Sequence, residues 1–174
     1  ALVGNRQLEL ASEKIDAAFT LGQAIQNNRV SAQATALKGE VSVFRGELDE
    51  SMQSLNEALV VFTELGEWQH IAATNLTMAG VLARLGKLDD ALTKVESARQ
   101  AFQSSGNRLA EGRTWGQEGA MRARAGNSIE GKRYFERALE LFREVGDQRS
   151  VAICLGDLAS TNSNIGNLTE AARL

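Results

Sequence analysis

One histidine, His70, and one cysteine, Cys154, are the side chains that come first to mind for chemistry in this 174-residue chain. Nucleophilic catalysis needs a thiol or hydroxyl held against a base, with a third group orienting that base. Here thiol and imidazole lie 84 positions apart (154 − 70), which does not suggest such a pair. His70 stands two residues after Trp68 and reads as a surface or helix-start side chain. Cys154 lies between Ile153 and Leu155 and reads as a small hydrophobe. Carboxylates are plentiful and are expected at helix starts and outward faces, solvated or favouring the helix dipole. Neither a metalloprotease HExxH, a calcium loop nor a phosphate-cradling glycine loop is present in the sequence. No catalytic residue, metal ligand or cofactor site is therefore expected. Arginines remain. Arg84, Arg113 and Arg124 carry planar forks suited to carboxylates and phosphates, in a chain of net charge −3. That charge balance offers no basic stripe for nucleic acid.

The elements that must position these side chains follow from the glycines. Gly46, Gly86, Gly126 and Gly166 are spaced by 40 residues, and Gly66, Gly106 and Gly146 repeat the spacing midway between them. Repeats of this length mean a solenoid or an array. After the first-series glycines, Gly46-Glu47-Leu48-Asp49-Glu50 matches Gly86-Lys87-Leu88-Asp89-Asp90 and Gly166-Asn167-Leu168-Thr169-Glu170. A small residue follows at Ser51, Ala91, Gly131 and Ala171, and an alanine at Ala58, Ala98 and Ala138. Leu55, Val95 and Phe135 lie between them, and Phe62, Phe102 and Phe142 beyond. Spacings of three, four and seven put these residues on one face of an amphipathic helix of about 17 residues. The alternate segments carry their own small residue, at Gly39, Ala79, Gly119 and Ala159.

Glycine just past a helix end adopts left-handed backbone without a Cβ clash. Each glycine is thus a helix stop, followed by a capper or acid such as Glu67, Asn107 or Asp147. Loops this short force neighbouring helices to run antiparallel. The spacing predicts helix pairs 30–45 with 48–65, 68–85 with 88–105, and 108–125 with 128–145. A fourth pair, 148–165 with a helix starting at 168, is cut by the end of the chain. Ahead of them, residues 5–27 form one more second-type helix, on the face of Ala11, Ile15 and Ala18, with Asn27-Asn28 replacing the stop glycine. The dearth of proline and of β-branched runs agrees with an all-α chain. Gly112, Gly116 and Gly119 form a GxxxG-like row inside a helix, which reads as close helix contact.

These residues resemble the tetratricopeptide repeat family. Trp115 occupies that family's Trp-like position, Gly39, Ala79, Gly119 and Ala159 its first small position, and Ala91 with Ala58, Ala98 and Ala138 its alanines. The period of 40 replaces the usual ~34, and glycine replaces the proline that often ends the second helix, as in the long-helix subclass. That subclass includes Pins-type adaptors, kinesin light chain, bacterial pheromone receptors and the maltose-responsive activator. The resemblance implies a right-handed α-α superhelix of about four stacked helix-turn-helix repeats. It implies a concave groove, lined by the first helix of each pair, that holds a peptide or extended protein segment.

By that register the groove positions are Gln33, Leu37, Glu40 and Phe44; then Ala73, Leu76, Thr77, Gly80 and Arg84; then Arg113, Gly116, Gln117, Ala120 and Arg124; then Ile153, Gly156, Asp157 and Ser160. Among these, Glu40, Phe44, Thr77, Arg84, Arg113, Gln117, Arg124 and Asp157 are the expected partner-binding residues. The arginines point to an acidic or carboxylate-bearing segment, against the plainer reading that they pair with local acids. The carboxylate clamp of some family members needs Lys and Asn where this chain has Ala36, Glu40 and Thr77. Only Arg113 fits it. An interaction scaffold is the first expectation, and a ligand- or peptide-sensing segment of a larger regulator the alternative. An enzyme is not expected. Residues 1–174 read as a single solenoid cut from a longer protein, with repeats 28–66, 67–106 and 107–146 flanked by partial ones at 5–27 and 147–174. Disulfide-free and lacking a membrane span, the chain fits the cytoplasm, with no membrane or nucleic-acid partner. Open ends bearing Ile165 and Leu168 suggest end-to-end self-association.

Overall fold

Seven glycines, at 20-residue intervals from Gly46 to Gly166, take φ values between 67° and 92°. That left-handed conformation is what reverses the chain after each helix. At Gly66 the backbone N–H bonds to the Thr63 carbonyl at 3.2 Å and the next N–H, from Glu67, to the Phe62 carbonyl at 2.9 Å. These two bonds satisfy carbonyls that the ending helix leaves without partners. The same pair of bonds closes the turns at Gly46, Gly86, Gly106, Gly126 and Gly146.

The computed structural model describes residues 2–166 and 173, with side chains described from Gln7 onward. Among the described residues there are eight helices: α1 (Leu2–Ala24), α2 (Asn28–Arg45), α3 (Leu48–Glu64), α4 (Trp68–Arg84), α5 (Leu88–Ser104), α6 (Arg108–Arg124), α7 (Ser128–Val145) and α8 (Gln148–Asn164). The helix expected to start at residue 168, with Leu168 and Ala171, lies outside the described residues. None of the described helices is long and apolar enough to cross a membrane.

The first turn departs from expectation. Gln26, not Asn27 or Asn28, holds the left-handed position, at φ 53°. Its turn is closed by the same two bonds, from Gln26 to Gln23 and from Asn27 to Gly22. Asn27 instead caps the next helix, accepting from the Val30 N–H at 3.2 Å, and Asn28 is the first residue of α2. Residue 26 falls on the 20-residue interval, so the interval rather than the preferred residue type sets where the chain turns.

Two compact units divide the chain, Ala1–Lys94 and Val95–Leu174, with the boundary inside α5. In the first unit α2 packs on both α1 and α3, α3 packs on α4, and α2 also touches α4. Its core is the repeating apolar face: Leu55, Ala58 and Phe62 of α3 and Ala72, Ala79 and Val81 of α4 are all buried. Full burial of a Leu or Phe contributes roughly 1.5–3 kcal/mol. In the second unit α7 packs between α6 and α8, and Phe135, Ala138, Leu139 and Phe142 pack with Cys154 and Leu158. The glycine row acts as a contact at two of its three positions. A Cβ on Gly112 would lie 2.8 Å from the Phe142 ring, and one on Gly119 would lie 3.0 Å from the Gly131 carbonyl. One on Gly116 would meet only the Ala138 methyl, at 3.9 Å, an ordinary contact.

Candidate functional site

Within each unit the even-numbered helices bury one side against the odd-numbered ones, and among the described residues the other side carries exposed side chains. In the first unit the uncovered side carries Leu37, Glu40 and Phe44 on α2, and Ala73, Thr77, Gly80 and Arg84 on α4. Phe44 is 77% exposed and Leu37 48% exposed. Glu40 and Thr77 are half-buried, and Arg84 is exposed. Burial pushes the Glu40 carboxyl above its ordinary pKa. Arg84 is already engaged, because its guanidinium donates to the Val43 carbonyl at 2.9 Å. That carbonyl lies in the last turn of α2, where a cation is favoured by the helix dipole. The plainer reading of a local partner thus describes Arg84, although the partner is a backbone carbonyl rather than an acid.

In the second unit the corresponding side carries Arg113, Gln117 and Arg124 on α6, and Ile153, Gly156 and Asp157 on α8, all exposed. Burial on one flank raises the Asp157 carboxyl above its ordinary pKa, and the nearby Arg124 charge opposes the rise. Arg113 contributes a small lowering to Asp147, whose pKa is depressed chiefly by the Ser150 hydroxyl. Asp147 is the N-cap of α8, accepting from the Ser150 N–H at 3.4 Å and its hydroxyl at 2.7 Å. A Cβ added at Gly80 or Gly156 would meet nothing within 4 Å, and one at Gly116 only the ordinary contact already given. Two mid-helix glycines on this side, Gly80 and Gly156, thus have no crowding to explain them, although each costs a helix about 1 kcal/mol relative to alanine. Gly116, expected here by register, is instead half-buried and faces Ala138 of α7.

His70 is placed at the start of α4, as expected, but it is half-buried. Its ring stacks on Phe62 with centroids 4.8 Å apart, Nε2 lies 2.9 Å from the Gln33 amide nitrogen, and Nδ1 lies 3.4 Å from Glu67. Glu67 also pairs with Arg29 at 3.1 Å. Cys154 is a buried free thiol donating to the Phe135 carbonyl, and burial pushes its pKa up to about 11. The histidine belongs to the first unit and the cysteine to the second. Among the described residues no cluster of His, Cys, Asp and Glu could hold a metal ion.

The expectation that carboxylates are solvated fails in the second unit. Glu111 and Glu118 are each only 3% exposed. Glu118 accepts from Arg99 at 2.7 Å through one oxygen and from Arg122 at 2.7 and 3.0 Å through the other. Arg99 also pairs with Glu96 and lies 3.8 Å above the Trp115 ring, while Arg122 sits 4.7 Å from the Tyr134 ring. Burial would raise the Glu111 pKa, but hydrogen bonds from Gln103 and Arg108 and the Arg108 charge outweigh it, so it is lowered. A buried carboxylate is tolerable only when paired and hydrogen-bonded, and both of these are.

A trough of about 640 Å³ lies on the other side of the first unit, lined by Phe19, Lys38, Asp49, Glu50 and Glu57 among others. Because α1 and α3 both pack on α2, a gap between them is a by-product of stacking. The even-numbered helices of each unit, where exposed apolar and charged side chains coincide, are therefore the candidate surfaces.

Residues 111–174 match the tetratricopeptide repeat family. In structure the chain is similar to BtubC (BKLC) from P. vanneervenii, with a TM-score of 0.85 and 14% identity over 98% of this chain and 71% of that one. A kinesin light chain-like protein of Podospora anserina with nearly identical TPR-like repeats matches at 0.75 and 12%, over 98% of this chain and 84% of that one. A Rap protein complexed with Competence and Sporulation Factor matches at 0.76 and 17%, over 98% and 48%. No curated protein matches by sequence. At these identities the structures speak for the fold alone: an all-α solenoid of tetratricopeptide-like helix pairs.

Proposed function

We propose that this chain of tetratricopeptide-like repeats is an interaction module in which the even-numbered helices of each unit hold a peptide or extended protein segment. The observation that carries the reading is the open glycine on the exposed side of each of α4 and α8. Gly80 and Gly156 weaken their helices with no packing reason. Glycine lets another backbone come close. In the second unit Arg113 and Arg124 give that side a cationic character, so an acidic stretch of the segment is the chemistry expected there.

The test is capture of partners from a lysate by the intact chain and by an Arg113→Glu/Arg124→Glu variant of equal helicity. Arg84 is left unchanged because it bonds to α2. A partner held by the first and released by the second supports the reading. Identical profiles remove the arginines from it. A second reading, a sensing segment of a larger regulator, is favoured by the similarity to the Rap protein solved with its factor. A ligand that changes the spacing of the two units in solution scattering would support that second reading.

A further inference from the structure

The two units carry different chemistry on the uncovered sides of their even-numbered helices. In the first, α2 shows Leu37 at 48% and Phe44 at 77% exposure, with Glu40 between them. Residues three and four apart share a helix face, so the three side chains form one row. Two hydrogen bonds hold α4 alongside α2: Gln33 with His70 at 2.9 Å, and Arg84 with the Val43 carbonyl at 2.9 Å. Those ties bring Glu40 level with the helical turn from Thr77 to Gly80, and Gly80 leaves open space there. Leu76, half-buried, continues the apolar surface from α4.

Glu40 is half-buried, and burial raises its pKa. Among the described residues, the cations on α2 and Arg84 of α4 have partners other than Glu40, and Arg45 bonds to the Ser12 hydroxyl at 2.9 Å. Arg84 bonds to the Val43 carbonyl, Lys38 to Glu50 at 3.1 Å, and Arg29 to Glu67 at 3.1 Å. Desolvating a carboxylate without a counter-charge is unfavourable, and so is leaving a phenyl ring in water. One ligand relieves both: a cation flanked by apolar side chains.

We propose that this side of the first unit binds a peptide segment carrying a lysine or arginine within about four residues of a bulky apolar residue, a spacing that fits one helical face or a short extended stretch. The cation meets Glu40, and the apolar residue meets Leu37, Phe44 and Leu76. The inference rests on the reading that the even-numbered helices take a peptide, and it differs from that reading in the sign of the charge it demands.

The test pans a phage-displayed library of random dodecapeptides on the whole chain. The selected peptides are then synthesised and titrated by fluorescence anisotropy. Wild type, Glu40→Gln, Phe44→Ala and Arg113→Glu/Arg124→Glu are compared, each checked for equal helicity. The expected result is a class of peptides with the stated lysine or arginine motif. Lysine-to-norleucine replacement in the peptide, or Glu40→Gln in the chain, weakens their binding roughly tenfold or more, as loss of a charged hydrogen bond does. Phe44→Ala weakens it as well. Peptides that bind with no basic preference and ignore Glu40→Gln and Phe44→Ala overturn the inference. If those same peptides lose affinity with the arginine variant, the broader reading survives it. Peptides indifferent to every one of these substitutions, or no selected peptide at all, sink both.

Discussion

Replacing Glu118 by methionine removes the acceptor that both Arg99 and Arg122 share, and the structure allows the consequence to be worked through. Breaking a buried pair by removing one partner costs about 3–5 kcal/mol, because the other charge is left buried. Arg99 keeps Glu96, whose side chain is 45% exposed, and Arg122 keeps Glu130 at 2.9 Å. Those remaining partners put the loss at the lower end, about 3 kcal/mol, or roughly 6–12 °C in midpoint for a chain of this size. Arg99→Leu alone costs less, about 1–3 kcal/mol, because Arg122 still holds Glu118 through two bonds. The double variant is different in kind. Forty residues away on either side, the Glu118 position is filled by Met78 and Leu158, and the Arg99 position by Leu59 and Leu139. Arg99→Leu/Glu118→Met therefore restores the apolar pair of the other repeats, and its stability returns to within about 1 kcal/mol of wild type or rises above it. Urea titrations of the four proteins give the coupling directly. A double variant as unstable as the sum of the two singles would refute the claim that the ion pair stands in for a hydrophobic contact.

Three further outcomes follow from particular residues. Gln26→Gly stabilises by about 1 kcal/mol, since left-handed backbone is strained for a residue with a Cβ, whereas Gly66→Ala destabilises; thermal midpoints moving in the same direction would contradict the turn geometry. Gly116→Ala stabilises by about 1 kcal/mol through helix propensity, while Gly119→Ala destabilises because its Cβ would lie 3.0 Å from the Gly131 carbonyl; denaturant midpoints separate the two. Glu40→Gln stabilises at neutral pH. Its carboxyl has a raised folded-state pKa, so the folded protein holds the proton more tightly, and wild type loses stability as pH rises from the ordinary value of 4.5 through the raised one. Below that window the two proteins converge, and a constant difference from pH 3 to pH 8 would show that the carboxyl is not responsible.

Helix positions were legible because glycine reports them directly. A residue that must turn left-handed every 20 positions leaves a visible period, and the apolar face between the stops gives the core. Gln26 was missed because the strain at that turn is borne by a residue type that does not advertise it. The buried ion network was missed for another reason. A charge is ordinarily read as solvated, and only comparison of equivalent positions reveals that Glu111 stands where other repeats have Ile71 and Val151, and Glu118 where they have Met78 and Leu158. Arg84 was expected to face a groove, but its bond to the Val43 carbonyl depends on the lateral fit of α4 against α2, which no local pattern encodes. That Leu37, Glu40 and Phe44 share a helix face was legible by register, whereas the half-burial of Glu40, and the engagement elsewhere of Lys38, Arg29 and Arg84, emerge only from the packed helices.

The most direct test of the central claim is to fill the uncovered side without disturbing the fold. Gly80→Gln and Gly156→Gln introduce longer side chains at mid-helix positions where a Cβ meets open space. Glutamine also favours helix over glycine, so the double variant remains folded and gains midpoint in thermal unfolding. Titration of a captured partner or selected peptide against wild type and this variant is then the measurement. The account predicts lost binding in a more stable protein. Undiminished binding by the double variant, with loss on Gln53→Arg in the trough between α1 and α3, would contradict it and move the site to the opposite side of the first unit.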